Sequence, residues 1–327
     1  MLQLNRLQAA VGETPLIRLN RLSAETRCEI LGKAEFLNPG GSIKDRAALA
    51  MMASAESAGL LRPGSLVVEG TAGNTGAALA LYGKPRGYGF LFFVPDCVSQ
   101  AKIDLLQALG AKVTVVPHVH PDHPEHFQRL ARRAAGAPHA WWVDQFDNLA
   151  NQEAHYGGTA PELWRDCQGR LDAVVAAVGS GGTLAGLSRY FQEHAPSVRI
   201  ICADPMGAAM WSWFKHGHLD FADGESVAEG VGQRRVTVNV ARARVDEAYR
   251  IADAEAVAML HRLREEEGLF LGLSAAMNVA AAVRDARING PGRRIVAILC
   301  DGGARYSATI HNPSWLAARG LPTSFTA

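Results

Sequence analysis

Short apolar runs recur along this chain, each leading to a turn and then to a helix-forming stretch. This recurrence constrains the fold more than any other feature. Leu66-Val67-Val68-Glu69 passes into Gly70-Thr71-Ala72-Gly73-Asn74-Thr75-Gly76, and that turn into Ala77-Ala78-Leu79-Ala80-Leu81-Tyr82. Phe90-Leu91-Phe92-Phe93-Val94 precedes a helical stretch at about 99–109, and Val113-Thr114-Val115-Val116 is the next strand. The pattern restarts after Trp141-Trp142-Val143-Asp144-Gln145-Phe146. Ala173 to Val178 reads as a strand, Gly179-Ser180-Gly181-Gly182-Thr183 as its turn, and Leu184 to Tyr190 as the head of a helix. Ile200 to Asp204 and Ile295 to Cys300 are further strands, and 257–267 and 275–286 are helices. Strands without polar alternation are buried on both faces, which calls for parallel pairing under helices. A chain of 327 residues accommodates about two domains of ~150 residues. The expected fold is α/β, with two open, twisted, mostly parallel sheets flanked by helices and an active site in the cleft between them.

Charge and cysteine usage narrow the function classes. A formal net charge of +1 offers no electrostatic attraction to nucleic acid or to an anionic membrane. No apolar run approaches the ~18 residues of a membrane span, and the first residues carry no signal-peptide pattern. The five cysteines, Cys28, Cys97, Cys167, Cys202 and Cys300, are far apart and form no CxxC. That usage fits reduced thiols in the cytoplasm and neither a disulfide framework nor a zinc site. His118, His120, His123 and His126 crowd a proline-rich stretch, but their spacing matches no standard metal site, and no metal is expected.

Chemistry is carried by one lysine and three turns. Asn38-Pro39-Gly40-Gly41-Ser42-Ile43-Lys44-Asp45-Arg46 delivers Lys44 to the start of an alanine-rich helix. A lysine held at such a junction can form a Schiff base with an aldehyde, although a lone lysine there is usually just solvated. The turn Gly179 to Thr183 exposes backbone N–H groups at a helix N-terminus, which suits a phosphate or simply makes a tight turn. It is neither GxGxxG nor a Walker loop. The turn Thr71-Ala72-Gly73-Asn74-Thr75-Gly76 suits a carboxylate; taken alone it is more simply a polar helix cap. Ser274, in Gly272-Leu273-Ser274, reads alone as an N-cap and otherwise as a group facing a ligand ring nitrogen.

Taken in order, these parts resemble the cysteine synthase and cysteine desulfhydrase family, pyridoxal-phosphate enzymes of fold type II (tryptophan synthase β-like). The resemblance covers nearly the whole chain. It runs from Val11-Gly12-Glu13-Thr14-Pro15-Leu16 through the lysine run, the 71–76 turn, Asp144-Gln145-Phe146, the 179–183 turn and Gly272-Leu273-Ser274 to Cys300-Asp301-Gly302-Gly303-Ala304-Arg305-Tyr306. It implies pyridoxal 5'-phosphate held by Lys44 as an internal aldimine, with Lys44 as the catalytic proton carrier. Asn74 would bond the ring hydroxyl oxygen, Gly179, Ser180, Gly181, Gly182 and Thr183 the phosphate, and Ser274 the pyridine nitrogen. Thr71, Ala72, Asn74, Thr75 and Gln145 would surround the substrate carboxylate, with Gly230 at the mouth of the site. Residues 1–40 and 147–327 would form a larger cofactor-binding domain, and 41–146 a smaller mobile one. A cytoplasmic homodimer acting on a small amino acid and sulfide is implied, with neither nucleic acid nor membrane as partner.

The reaction implied is β-replacement on an activated serine, O-acetylserine plus sulfide giving L-cysteine and acetate, through an aminoacrylate. Two departures bear on it. Ala72 stands where serine is usual, which removes a hydroxyl bond to a charged carboxylate worth ~1.5–3 kcal/mol. Ala275-Ala276-Met277 replaces the more usual serine-glycine-alanine after Ser274. The alternative reading is an L-cysteine desulfhydrase, releasing sulfide, pyruvate and ammonia. More distant alternatives are a serine/threonine dehydratase and a non-catalytic regulatory homologue.

Overall fold

In the computed structural model, residues 7–222 and 224–325 are described. The chain enters through β1 (Leu16–Arg18), α1 (Asn20–Thr26), β2 (Glu29–Lys33) and α2 (Lys44–Ser57). A second run comprises β3 (Leu66–Gly70), α3 (Asn74–Gly83), β4 (Gly89–Pro95), α4 (Gln100–Ala108), β5 (Lys112–Val116), α5 (Phe127–Ala134) and β6 (Ala140–Trp142). The third opens with α6 (Leu149–Ala154), a π turn (His155–Thr159), α7 (Ala160–Asp166), β7 (Ala173–Ala177) and α8 (Gly182–His194). It continues through β8 (Arg199–Pro205), α9 (Met210–His216), α10 (Val238–Ala241), β9 (Glu247–Ile251), α11 (Asp253–Glu267), α12 (Leu273–Asn289), β10 (Arg294–Ile298) and α13 (Pro313–Ala317).

The strands form two sheets, as the strand–turn–helix recurrence requires. A six-stranded sheet has the order β1-β2-β10-β7-β8-β9 and a four-stranded sheet the order β5-β4-β3-β6. Every pairing is parallel except β1 with β2. The sequence pattern missed β1, β2, β6 and β9. Glu29–Lys33 and Glu247–Ile251 carry charges at their ends, and their burial comes from neighbours distant in the chain. The predicted final strand also ends early. Cys300 lies past β10, and its carbonyl accepts from the Ile43 N–H at 2.8 Å. An isolated bridge between Ser42 and Asp301 lies beside that bond. The lysine run is thus docked on the C-terminal end of the central strand of the larger sheet.

Helix α2 belongs with the smaller sheet. Ala47, Ala48, Met51, Met52 and Ala55 are buried and share one core with Val67, Leu79 and Phe92. Their helical spacing puts them on one face, where the alanines permit close approach to α3. The first turn of α2 carries the opposite character. Arg46 Nε donates to Glu35 Oε2 at 2.7 Å and its Nη atoms to both Glu162 oxygens at 2.6 and 2.7 Å. Lys33, fully buried, adds a 2.8 Å ion pair to Glu162 and donates to the Thr14 carbonyl at 2.5 Å. Glu162 is held down at about 2 despite its burial, because Arg46 and Lys33 bond to its ionised form.

Removing one member of a buried ion pair strands the other, at about 3–5 kcal/mol. Arg46→Met is therefore expected to lower unfolding free energy by about that amount in urea titrations. A loss within the range of ordinary surface substitutions would show that the network does not hold α2 in place.

Candidate active site

Lys44 is the first residue of α2, and its N–H donates to Ser42 Oγ at 3.3 Å. Ser42 thus bonds into the first turn of the helix, while Ile43 occupies the capping position. Gly40 must lack a side chain, since a Cβ there would lie 2.4 Å from Asp45 Oδ1. Its N–H instead donates to Asp45 Oδ2 at 2.5 Å. Burial lowers the pKa of the Lys44 amine, with Cys300 and Asp301 opposing the shift. An amine so placed loses its proton more readily than one in water.

The end of β10 gathers the other groups. Asp301 Oδ2 accepts from Asn74 Nδ2 at 2.7 Å and from the Tyr306 hydroxyl at 2.5 Å. Asn74 Oδ1 accepts from Arg305 Nη1 at 2.5 Å. Arg305 also donates to the Gly40 carbonyl, so one guanidinium braces both the lysine run and Asn74. Ser274 is the second residue of α12, behind Gly272 in the capping position, and makes no cap bond. The N-cap reading of Ser274 therefore fails. Its hydroxyl lies against the Cys300 thiol, which burial pushes up to about 11.

The 179–183 turn joins β7 to α8, with Gly181 capping the helix at φ +91° and no side chain bonded there. Glycine is required by close approach. A Cβ on Gly182 would lie 2.1 Å from Asn151 Oδ1, and one on Gly179 would lie 2.3 Å from the Gly230 carbonyl. Thr183 Oγ1 lies 3.2 Å from His155 Nε2, whose Nδ1 meets Thr159 Oγ1 at 2.9 Å. Burial, together with Arg46 and Lys44, lowers the His155 pKa well below its usual value. The ring is neutral, so one nitrogen can accept from one of these hydroxyls while the other donates.

The carboxylate turn connects β3 to α3. Thr71 Oγ1 accepts from the Gly73 N–H at 3.1 Å, and Gly73, at φ +124°, precedes the first helical residue, Asn74. Ala72 packs its methyl group against the core of the smaller sheet. Thr75 Oγ1 donates to Gln145 Oε1 at 2.6 Å. Asn151 then links the two turns, donating to the Gln145 carbonyl and to Ser180 Oγ, both at 2.8 Å. Gly230, at φ +78°, has its carbonyl close over Gly179. Its neighbour Glu229 reaches Lys102 on α4 at 2.8 Å.

The 71–76 turn follows β3, Gln145 follows β6, the 179–183 turn follows β7, and the lysine run and Ser274 adjoin Cys300, just past β10. The residues that pattern reading left without a role are Asn151, His155, Asp301 and Arg305. Each is a polar side chain with at least one partner far away in the chain. A cavity of about 560 Å³ elsewhere is lined by Arg18, Arg27, Arg170, Arg293 and Arg294 and includes none of the site residues. It sits where α1 and α12 end, and arginines there complement the negative ends of the helices. Among the described residues, no His/Cys/Asp/Glu group could hold a metal, and no helix is long and apolar enough to cross a membrane.

Comparison with known proteins agrees with this geometry. The family profile described as pyridoxal-phosphate dependent enzyme matches residues 7–301. Cysteine synthase 1 of Neurospora crassa is 48% identical over 320 residues, 96% of this chain and 85% of the relative. A cysteine synthase of Dictyostelium discoideum is 44% identical over 322 residues, 95% of this chain and 85% of the relative. Among solved structures, an O-acetylserine-dependent cystathionine β-synthase from Helicobacter pylori superposes with a TM-score of 0.84 at 29% identity, covering 94% of this chain and 99% of that one. The chain belongs to the family of pyridoxal-phosphate-dependent enzymes, alongside the cysteine synthases.

Proposed function

We propose that this protein is a cysteine synthase that replaces the acetoxy group of O-acetylserine with sulfide. One observation carries the reading. Lys44, a desolvated amine, acts electrostatically on His155, which lies 3.2 Å from Thr183 in the uncapped glycine turn of α8, on a chain that matches cysteine synthases over nearly its whole length. The residues fit pyridoxal phosphate. Side chains at Gly179, Gly181 or Gly182 would overlap neighbouring atoms, and the first turn of α8 keeps its N–H groups for a phosphate. When bound, the cofactor supplies an aldehyde for an amine and a ring that accepts electron density from the amino acid's α-carbon.

The chain's own residues do the rest. Lys44 would hold the cofactor's aldehyde carbon, and its amine, with its lowered pKa, suits taking the substrate's α-proton. Gly179 to Thr183 hold the phosphate, Asn74 the ring hydroxyl oxygen, and Ser274 the pyridine nitrogen. A serine hydroxyl does not force a proton onto that nitrogen, so the ring stays a modest electron sink suited to elimination. Thr71, Ala72, Asn74, Thr75 and Gln145 surround the substrate carboxylate. With the Ala72 side chain apolar, backbone N–H groups at the head of α3 carry more of that charge. The β-carbon loses acetate with its bonding electrons and gains hydrosulfide. Residues 41–146 close on 1–40 and 147–327 and exclude water, and the Lys102–Glu229 pair bridges the two across the mouth near Gly230. A cytoplasmic homodimer completes the reading. Desulfhydration is not favoured, because the relatives are named as synthases.

The deciding experiment supplies purified protein with O-acetylserine and sulfide, and separately with cysteine alone. The synthetic direction is expected to have the larger kcat/KM, and a larger value for cysteine alone would overturn the assignment. Lys44→Ala is expected to lose the visible absorbance of a lysine-bound cofactor and about 10²–10⁴-fold in rate. Gly182→Ala should weaken cofactor binding to the apoprotein about ten- to a hundredfold, from about 1–3 kcal/mol of overpacking. Absorbance titration measures that change.

A further inference from the structure

Glu69 lies in β3, an internal strand between β4 and β6, and is 1% exposed. A buried carboxylate is costly without compensation, and among the described residues no ion pair includes Glu69. Its Oε1 accepts from Gln145 Nε2 at 3.2 Å, while its Oε2 has no partner. The packed elements β4, β6 and α3 carry no charged residue. Asp144, just after β6, adds a second negative charge, itself influenced by Asp147, Arg235 and, from α5, Arg132. His126, at the head of α5, is kept neutral by burial, at about 4. Burial first, and the Asp144 charge after it, push Glu69 up to about 8, against the opposing pull of hydrogen bonds from the Gln145 amide and from the backbone N–H groups of Asp144 and Gln145.

The Gln145 amide stands between Glu69 and the substrate pocket. Its amino group points at Glu69 and at the Gly70 carbonyl, each at 3.2 Å, and its oxygen takes the Thr75 proton at 2.6 Å. Neither Thr75 nor Gln145 then has a donor left for a carboxylate. Asn74 gives one Nδ2 proton to Asp301 and accepts from Arg305 at Oδ1, and its remaining Nδ2 proton is the one assigned above to the ring hydroxyl oxygen. A neutral Glu69 carries a proton that finds no acceptor while the amide stands this way. Turning the amide over gives up the Gly70 bond, but it brings the Gln145 oxygen to that proton and frees both donors.

We propose that Glu69 is a positioning residue for the substrate. As a neutral acid it holds the Gln145 amide so that the Gln145 amino group and the Thr75 hydroxyl donate to the substrate's α-carboxylate. As an anion it holds the amide the other way, with neither donor available. The proposal rests on the carboxylate pocket assigned above, but not on turnover.

The probe is propionate, a carboxylate without an amine, titrated calorimetrically into the holoenzyme across pH 6.5–9.5 at constant ionic strength. Affinity falls as pH rises, because only the fraction with neutral Glu69 is competent. The dissociation constant is expected to rise about tenfold between pH 7 and pH 9. In Glu69→Gln the introduced amide donates at any pH. Its constant should stay within twofold of the low-pH value, with KM for O-acetylserine following and kcat unchanged. A flat wild-type profile would overturn the proposal even if the variant does not fold. An identical pH dependence in both proteins would overturn it too, by assigning the titration to another group. Failure to make cysteine would count against the proposed reaction and leave the propionate comparison intact.

Discussion

The site depends on one buried guanidinium. Arg46 reaches both oxygens of Glu35 and both of Glu162, with Lys33 behind them. It therefore ties the N-terminal segment, α2 and α7 to a single point. Lys44 is two residues upstream on the same helical turn. The network is dry enough that each charge requires the others, and this makes it stiff and intolerant of deletion. Together with the Ile43 N–H bond to the Cys300 carbonyl, it sets where the reactive amine stands relative to the larger sheet, although the rest of α2 packs with the smaller one.

From that anchor, the site is a set of helix N-termini connected by side chains. The head of α3 and the head of α8 each end a strand–turn–helix unit, one in each sheet, and both present unpaired N–H groups to the cleft. Asn151 joins them by bonding to the Gln145 carbonyl and to Ser180. Asp301 and Arg305 join the lysine run to Asn74. The two turns proposed for a carboxylate and for a phosphate therefore belong to one connected frame. Positional precision of that kind underlies catalysis by orientation. Glu69 lies behind the frame, where the burial that stiffens it also raises a carboxyl group into the neutral range.

Much of this was legible in the chain. Leu66–Gly70 and Ala173–Ala177 announced themselves as strands because both of their faces are buried, and the glycines after them marked where backbone had to approach something closely. Lys44, Asn74, Ser274 and the 179–183 turn stood out as candidates by order and residue type. Strands β2 and β9 were not visible, since charged ends disguise them and long-range pairing buries them. The cap that Ser274 suggests when read alone is absent for a related reason. Gly272 already holds the capping position, with its backbone close against Asp301.

The amino-acid sequence by itself determined the α/β class, the run that presents Lys44 and the turns that suit phosphate and carboxylate. Those properties are local, written in apolar spacing, glycine placement and helix-forming runs. Only the tertiary structure decided that Arg46 is a buried hub, that Asp301 and Arg305 hold Asn74, and that Glu69 stands without a counter-charge behind Gln145. Their partners lie tens to hundreds of residues away in the chain, and a side chain's charge state depends on burial and neighbours that exist only once both sheets have formed.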